Sequence, residues 1–307
     1  MEMLLQILLL AAGFVMLVKG ADWFVDGASG IAEKFKIPQL VIGLTIVAMG
    51  TSAPEAAVSI SAALKGNADI TIGNIVGSNI LNILIILGLS AVITTLAVAK
   101  STVHYELPFL IGITVLLAIQ GLDGTINLLD GVVQLILFLA YLAYLLVMAK
   151  KNPEEPEKPK NMKLWKALLF TVVGLGLVVW GSDLAVDAAT SIARILGLSE
   201  RFIGLTIVAL GTSLPELFTS VSAARKGNAD IAIGNIVGSN IFNILFVIGL
   251  SSLIVPVPFA SGFLFDTIIA VAAAVLLLLC CLKGRKLKRW HGIVMLLGYV
   301  AYFLAIF

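Results

Sequence analysis

Long apolar runs broken by short charged clusters set the pattern of this chain. Runs able to cross roughly 30 Å of hydrocarbon fall at about 4–25, 37–64, 70–92, 105–122, 129–149, 164–188, 202–224, 231–254, 262–282 and 290–307. The pattern predicts ten spanning helices. No basic segment precedes the first run, and it continues into Lys19, Asp22 and Asp26 rather than a small-residue cleavage site, so it reads as a span and not a leader. Two spans carry a glutamate at mid-length, Glu55 in the second and Glu216 in the seventh.

The pattern also repeats. Shifted by 161 residues, 41–90 aligns with 202–251 without a gap and is identical at 37 of 50 positions. The same offset carries Gly20, Asp22 and Asp26 onto Gly181, Asp183 and Asp187. Five spans per half is an odd number, so the second copy is expected to cross the membrane in the opposite sense, as in many secondary transporters. The fold class predicted is therefore an all-α polytopic membrane protein of ten transmembrane helices in two inverted-topology repeats. Residues 1–149 form the first repeat, 150–163 a short charged linker holding Pro153, Pro156 and Pro159, and 164–307 the second repeat.

Composition agrees: 60% of the 307 residues are apolar, 12% are charged, and the mean hydropathy is +1.09. These values lie outside the range of a soluble domain. The net charge of +2 matters less than its distribution. With ten spans, one side receives 16 Lys and Arg, including Lys150, Lys151, Arg225 and Lys226, and the other receives only Lys65, Arg194 and Arg201. The richer side is expected to be cytoplasmic, with both termini and Lys65 outside. Cys280 and Cys281 are adjacent within the ninth span and cannot form an ordinary disulfide with each other.

Two motifs recur at matching places. Gly50-Thr51-Ser52-Ala53-Pro54-Glu55 returns as Gly211-Thr212-Ser213-Leu214-Pro215-Glu216. Proline lacks an amide hydrogen and clashes with the carbonyl four residues back, so each proline should break its helix and free carbonyls near Gly50 and Gly211. Thr51 and Ser52 can cap the half-helix that follows, whose dipole favours a carboxylate at Glu55. The second motif, Gly73-Asn74-Ile75-Val76-Gly77-Ser78-Asn79 with Asn82, returns as Gly234 to Asn240 with Asn243. Asn74, Ser78 and Asn82 share one helix face. Gly73 and Gly77 allow a neighbouring backbone to approach, expected to be the broken helix carrying Glu55. Carboxylates, amide oxygens, hydroxyls and carbonyls form an all-oxygen set suited to hard cations. A proline kink or a lone hydroxyl is commonplace in membrane helices. A mid-membrane glutamate is functional by default, and here there are two, each preceded by the same helix breaker. Asp22, Asp26, Asp183 and Asp187 fall near predicted span ends and read as interfacial or helix-pairing groups. Asp69 and Asp230 read as N-caps.

These paired segments resemble the two α-repeats of the cation/calcium exchanger superfamily, in particular prokaryotic sodium/calcium exchangers and calcium/sodium antiporters. The resemblance covers essentially the whole chain. It implies an ion site at Thr51, Ser52, Glu55, Ser78 and Asn82, and at Thr212, Ser213, Glu216, Ser239 and Asn243, with backbone oxygens from Ala48 and Ala209. It also implies one calcium held by both glutamates, or several sodium ions on the same oxygens. Sodium/calcium exchangers of the family carry Asp at the position of Asn243.

The function expected is secondary active exchange of sodium for calcium by alternating access, in the cell membrane. Calcium and sodium are the substrates, the bilayer is the partner, and no cofactor or nucleic acid is expected. The chain is expected to work as a monomer. A proton/calcium exchanger using the same glutamates is the alternative, and a cation channel a more distant one. No Ser/His/Asp, Cys/His or metal-ligand spacing supports an enzyme.

Overall fold

The computed structural model of the chain describes residues 2–65, 68–151, 162–197 and 209–306. Most of the linker and the start of the predicted seventh span lie outside these residues. The first helix, α1, runs Glu2–Phe35. Next come α2, Gln39–Thr51, and α3, Ala53–Leu64, which are bent by 49° against each other. Helix α4 covers 69–93, α5 Thr102–Asp123 and α6 Leu128–Lys151. The second half gives α7, Leu164–Ile195, α8, Ala209–Gly211, α9, Leu214–Arg225, and α10, Ala229–Ile254, followed by α11, Ser261–Leu282, and α12, Arg289–Ile306.

Among the described residues, eight of these helices are long and apolar enough to cross a membrane, and the bent α2–α3 pair supplies a ninth. The predicted 202–224 span is represented by α8 and α9, its beginning lying outside the described residues. Predicted boundaries hold within a few residues except for α1 and α7, which continue past 25 and 188 to Phe35 and Ile195. Asp22, Asp26, Asp183 and Asp187 consequently sit inside long helices rather than at helix ends. A hydropathy window closes at a charge, but a helix need not end where its polar side chains turn toward a polar neighbour or an aqueous cavity. Asp69 and Asp230 fall within the first turns of α4 and α10 instead of capping them.

Helix α10 is buried nearly throughout and forms the centre of the bundle. Its close packing comes from glycine: a Cβ on Gly234 would meet Gly43 backbone at 3.0 Å, and one on Gly238 would meet Leu44 backbone at 2.8 Å. The backbone that approaches these glycines is thus the broken helix of the opposite half, not of the same half. For Gly73 and Gly77 the corresponding segment, 201–208, is outside the described residues. Helices α1 and α7 pack along each other by the same means. A Cβ on Gly20 would lie 2.8 Å from the Val178 amide nitrogen, and Gly174 faces Phe24 backbone in return.

Among the described residues, four two-residue strands join the halves. Leu96–Ala97 (β1) pairs antiparallel with Lys286–Leu287 (β4), and Thr125–Ile126 (β2) with Val257–Pro258 (β3). The 161-residue offset maps β1 onto β3 and β2 onto β4, so each half supplies one strand to each pair.

Candidate cation site

The prolines act where the sequence places them. Pro54 and Pro215 occupy the first turn of α3 and α9, where a missing N–H costs nothing, and the chain breaks at Ser52 and Ser213. Glu55 and Glu216 follow in those first turns, at the positive ends of the helix dipoles, and are 1% and 0% exposed. The serines were expected to cap α3 and α9, but neither makes a side-chain cap. Ser52 Oγ donates to Glu216 Oε1 at 2.7 Å, and Ser213 Oγ donates to Glu55 Oε1 at 3.4 Å. A hydroxyl can donate and accept at once, but here each serine is turned so that its proton meets the buried carboxylate of the other half and its oxygen makes no cap. Each half therefore braces the glutamate of the other.

Helices α4 and α10 lie against α3 and α9. Asn74 Nδ2 donates to Ser59 Oγ at 3.0 Å and to the Glu55 carbonyl at 3.4 Å, while Asn235 Nδ2 donates to Ser220 Oγ at 2.8 Å and to the Glu216 carbonyl at 3.4 Å. Thr51 Oγ1 crosses to Asn235 Oδ1 at 2.9 Å. Further along, both helices widen into π-helix over Asn82–Leu87 and Asn243–Ile248. Such widenings recur at functional sites. Four asparagines lock together there. Asn79 and Asn240 exchange amide-to-carbonyl bonds of 3.2 and 3.0 Å, Asn82 Nδ2 donates to Asn240 Oδ1 at 2.9 Å, and Asn243 Nδ2 donates to Asn79 Oδ1 at 3.1 Å.

With the side-chain amide nitrogens of Asn82 and Asn243 committed in this way, the remaining oxygens are the informative ones. Glu55 Oε2, Glu216 Oε2, Asn82 Oδ1 and Asn243 Oδ1 are buried and have no hydrogen-bond partner among the described residues, and the same is true of Thr212 Oγ1. The first four form two repeat-related pairs. Buried acceptors left unpaired are costly, and a buried carboxylate without a counter-charge is costlier still. No Lys, Arg or His pairs with either glutamate among the described residues. Carboxylate and amide oxygens held this way fit a hard cation, which offers charge and accepts oxygen ligands at flexible geometry.

The other expected positions are distributed around this centre. Ser78 and Ser239 are buried, and Ser239 Oγ donates to the Ala48 carbonyl at 3.3 Å. That carbonyl also takes the Ser52 amide at 3.0 Å. Ala209 begins α8. The freed carbonyl at Gly211 is taken by Ser182 Oγ of α7 at 2.8 Å. Beside it a cavity of about 600 Å3, lined by Pro54, Ser182, Asp183, Asp187, Gly211 and Thr212, reaches the edge of the site.

Comparison with known proteins gives the family. The sodium/calcium exchanger protein family model matches residues 5–147 and 166–307. The chain belongs to the sodium/calcium exchanger family. Among its relatives, the putative antiporter CaxA of Alkalimonas amylolytica is 40% identical over 312 residues, covering 98% of both chains. The sodium/calcium exchanger MaX1 of Methanosarcina acetivorans is 36% identical over 342 residues, again covering 98% of each. The solved sodium-calcium exchanger NCX_Mj superposes with a TM-score of 0.87 at 36% identity, covering 98% of both chains.

For this exchanger-family chain, sequence reading missed the side chains that brace the expected positions. Ser59 and Ser220 anchor Asn74 and Asn235, and Asn79 and Asn240 orient Asn243 and Asn82. All are identical between the repeats, which was the available signal. Glu106 was missed altogether. It is fully buried in α5, outside the site, and accepts a hydrogen bond from the Tyr144 hydroxyl of α6. Its place at the start of an apolar run makes it read as interfacial.

Proposed function

We propose that this cation/calcium antiporter-family chain exchanges sodium for calcium across the cell membrane by alternating access, as two inverted five-helix repeats with both termini outside and residues 150–163 cytoplasmic. Thr51, Ser52, Glu55, Ser78, Asn82, Thr212, Ser213, Glu216, Ser239 and Asn243, with the Ala48 and Ala209 carbonyls, supply the ion ligands, and one chain is the working unit. The reading is carried by the four repeat-related oxygens of Glu55, Glu216, Asn82 and Asn243 that lack partners among the described residues. Two glutamates offset one calcium by charge, whereas three sodium ions would leave the site at +1. Exchange follows from competition for the same oxygens. Binding of one ion type precedes release of the other, and the α1–α7 pair slides against the bundle to change the side of access.

The test is calcium uptake into vesicles under separately imposed sodium and proton gradients. Uptake driven by an outward sodium gradient at equal pH is expected. Uptake that follows a proton gradient in the absence of sodium would overturn the sodium reading in favour of proton/calcium exchange.

A further inference from the structure

The aspartate pairs of α1 and α7 are equivalent in sequence and opposite in environment. Asp22 and Asp26 are partly exposed and paired. Lys226, at the end of α9, donates from Nζ to the Asp22 carbonyl at 2.6 Å and pairs with Asp26 Oδ2 at 3.0 Å and Asp22 Oδ1 at 3.6 Å. Ser222, one turn earlier, donates from Oγ to Asp22 Oδ1 at 2.6 Å. Asp183 and Asp187 are exposed on the wall of the 600 Å3 cavity and make no ion pair among the described residues. Helix α1 packs along α9, whereas α7 makes at most marginal contact with α3, the helix that corresponds to α9.

The offset of 161 supplies the missing partners. It maps Ser222 and Lys226 onto Ser61 and Lys65, at the matching end of α3. We propose that the two lysines are alternating tethered counter-ions. Lys226 closes one face by occupying Asp22 and Asp26, and Lys65 closes the other by occupying Asp183 and Asp187 once α1 and α7 have shifted, with Ser61 taking the place of Ser222. At any time one aspartate pair is plugged by an ammonium of the chain itself and the other is open to approaching cations. The proposal rests on the alternating-access reading. The two latches are mutually exclusive because α1 and α7 pack as a unit, so a shift that brings α7 onto α3 draws α1 away from α9.

The test reads sidedness rather than flux. In a Cys280→Ala, Cys281→Ala background, Ala57→Cys places a reporter thiol on the cavity wall, and a membrane-impermeant maleimide measures its exposure in vesicles of defined orientation. Ion conditions are set so that the otherwise unaltered protein labels at half its maximal rate. Removing one latch should shift the open-to-closed ratio by about two- to tenfold, the scale of two partly exposed ion pairs. Lys226→Met is expected to slow labelling and Lys65→Met to speed it, while Lys226→Arg behaves as the parent. Shifts of the same sign, or none, would overturn the latch. If the parent's labelling does not respond to imposed sodium or calcium gradients, alternating access itself fails, and the latch with it.

Discussion

Replacing Glu216 by Gln keeps the size of the side chain and one oxygen ligand but removes half of the charge that can offset a calcium ion. The local shape should survive, because Ser52 Oγ, now 2.7 Å from Glu216 Oε1, can donate equally to an amide oxygen. The loss is therefore electrostatic. Truncating one partner of a buried charge pair costs about 2–5 kcal/mol, which corresponds to a factor of roughly 30 to 5,000 in Kd. Apo stability should not fall, since the substitution removes a buried carboxylate that has no counter-charge among the described residues. Titration calorimetry of the detergent-solubilised protein in sodium-free buffer measures the affinity, and thermal unfolding with and without calcium separates binding from folding. Glu55→Gln should give a loss of the same order, because its Oε2 is placed as that of Glu216 is. Calcium affinity within about threefold of the parent in a folded Glu216→Gln protein would refute the assignment.

Pro54→Ala and Pro215→Ala restore an N–H that can bond the carbonyl four residues back; for Pro215 this is the Gly211 carbonyl that Ser182 now holds. Calcium affinity is expected to fall while the unfolding temperature holds or rises; unchanged affinity with a lower unfolding temperature would mark the prolines as packing kinks. Asn243→Asp removes the amide that donates to Asn79 Oδ1 at 3.1 Å and sets a carboxylate against that oxygen. Apo stability should drop by about 1–3 kcal/mol, with calcium restoring more stability than it adds to the parent, both read from unfolding curves across a calcium series.

Much of the site was legible because the chain states it twice. Gly-Thr-Ser-x-Pro-Glu and Gly-Ser-Asn-x-x-Asn retain polar groups at matching places where any apolar residue would satisfy the lipid, and those groups converge in space. What could not be read was which copy serves which. Local rules assign Ser52 to the nearest helix end, yet its proton is turned to a buried carboxylate from the other half. The π-helical turns that start at Asn82 and Asn243 could not be read either, since no proline or glycine stands where the ladder widens and only Gly88 and Gly249 mark where it closes again. The lengths of α1 and α7 were misjudged for a related reason: aspartates interrupt a hydropathy window but not a helix, since Lys226 reaches Asp22 and Asp26 from α9 while Asp183 and Asp187 face a cavity.

The two small strand pairs constrain how such a molecule can move. One precedes α5 and the other follows it, so they lie at opposite ends of a spanning helix, and in each pair one strand comes from either half. The helices they border, α4 to α6 and α10 to α12, are thereby riveted top and bottom into one frame. Two lobes rocking about a central axle would have to shear both rivets at once. A frame fixed in this way leaves translation of α1 and α7 along its surface as the motion of least resistance.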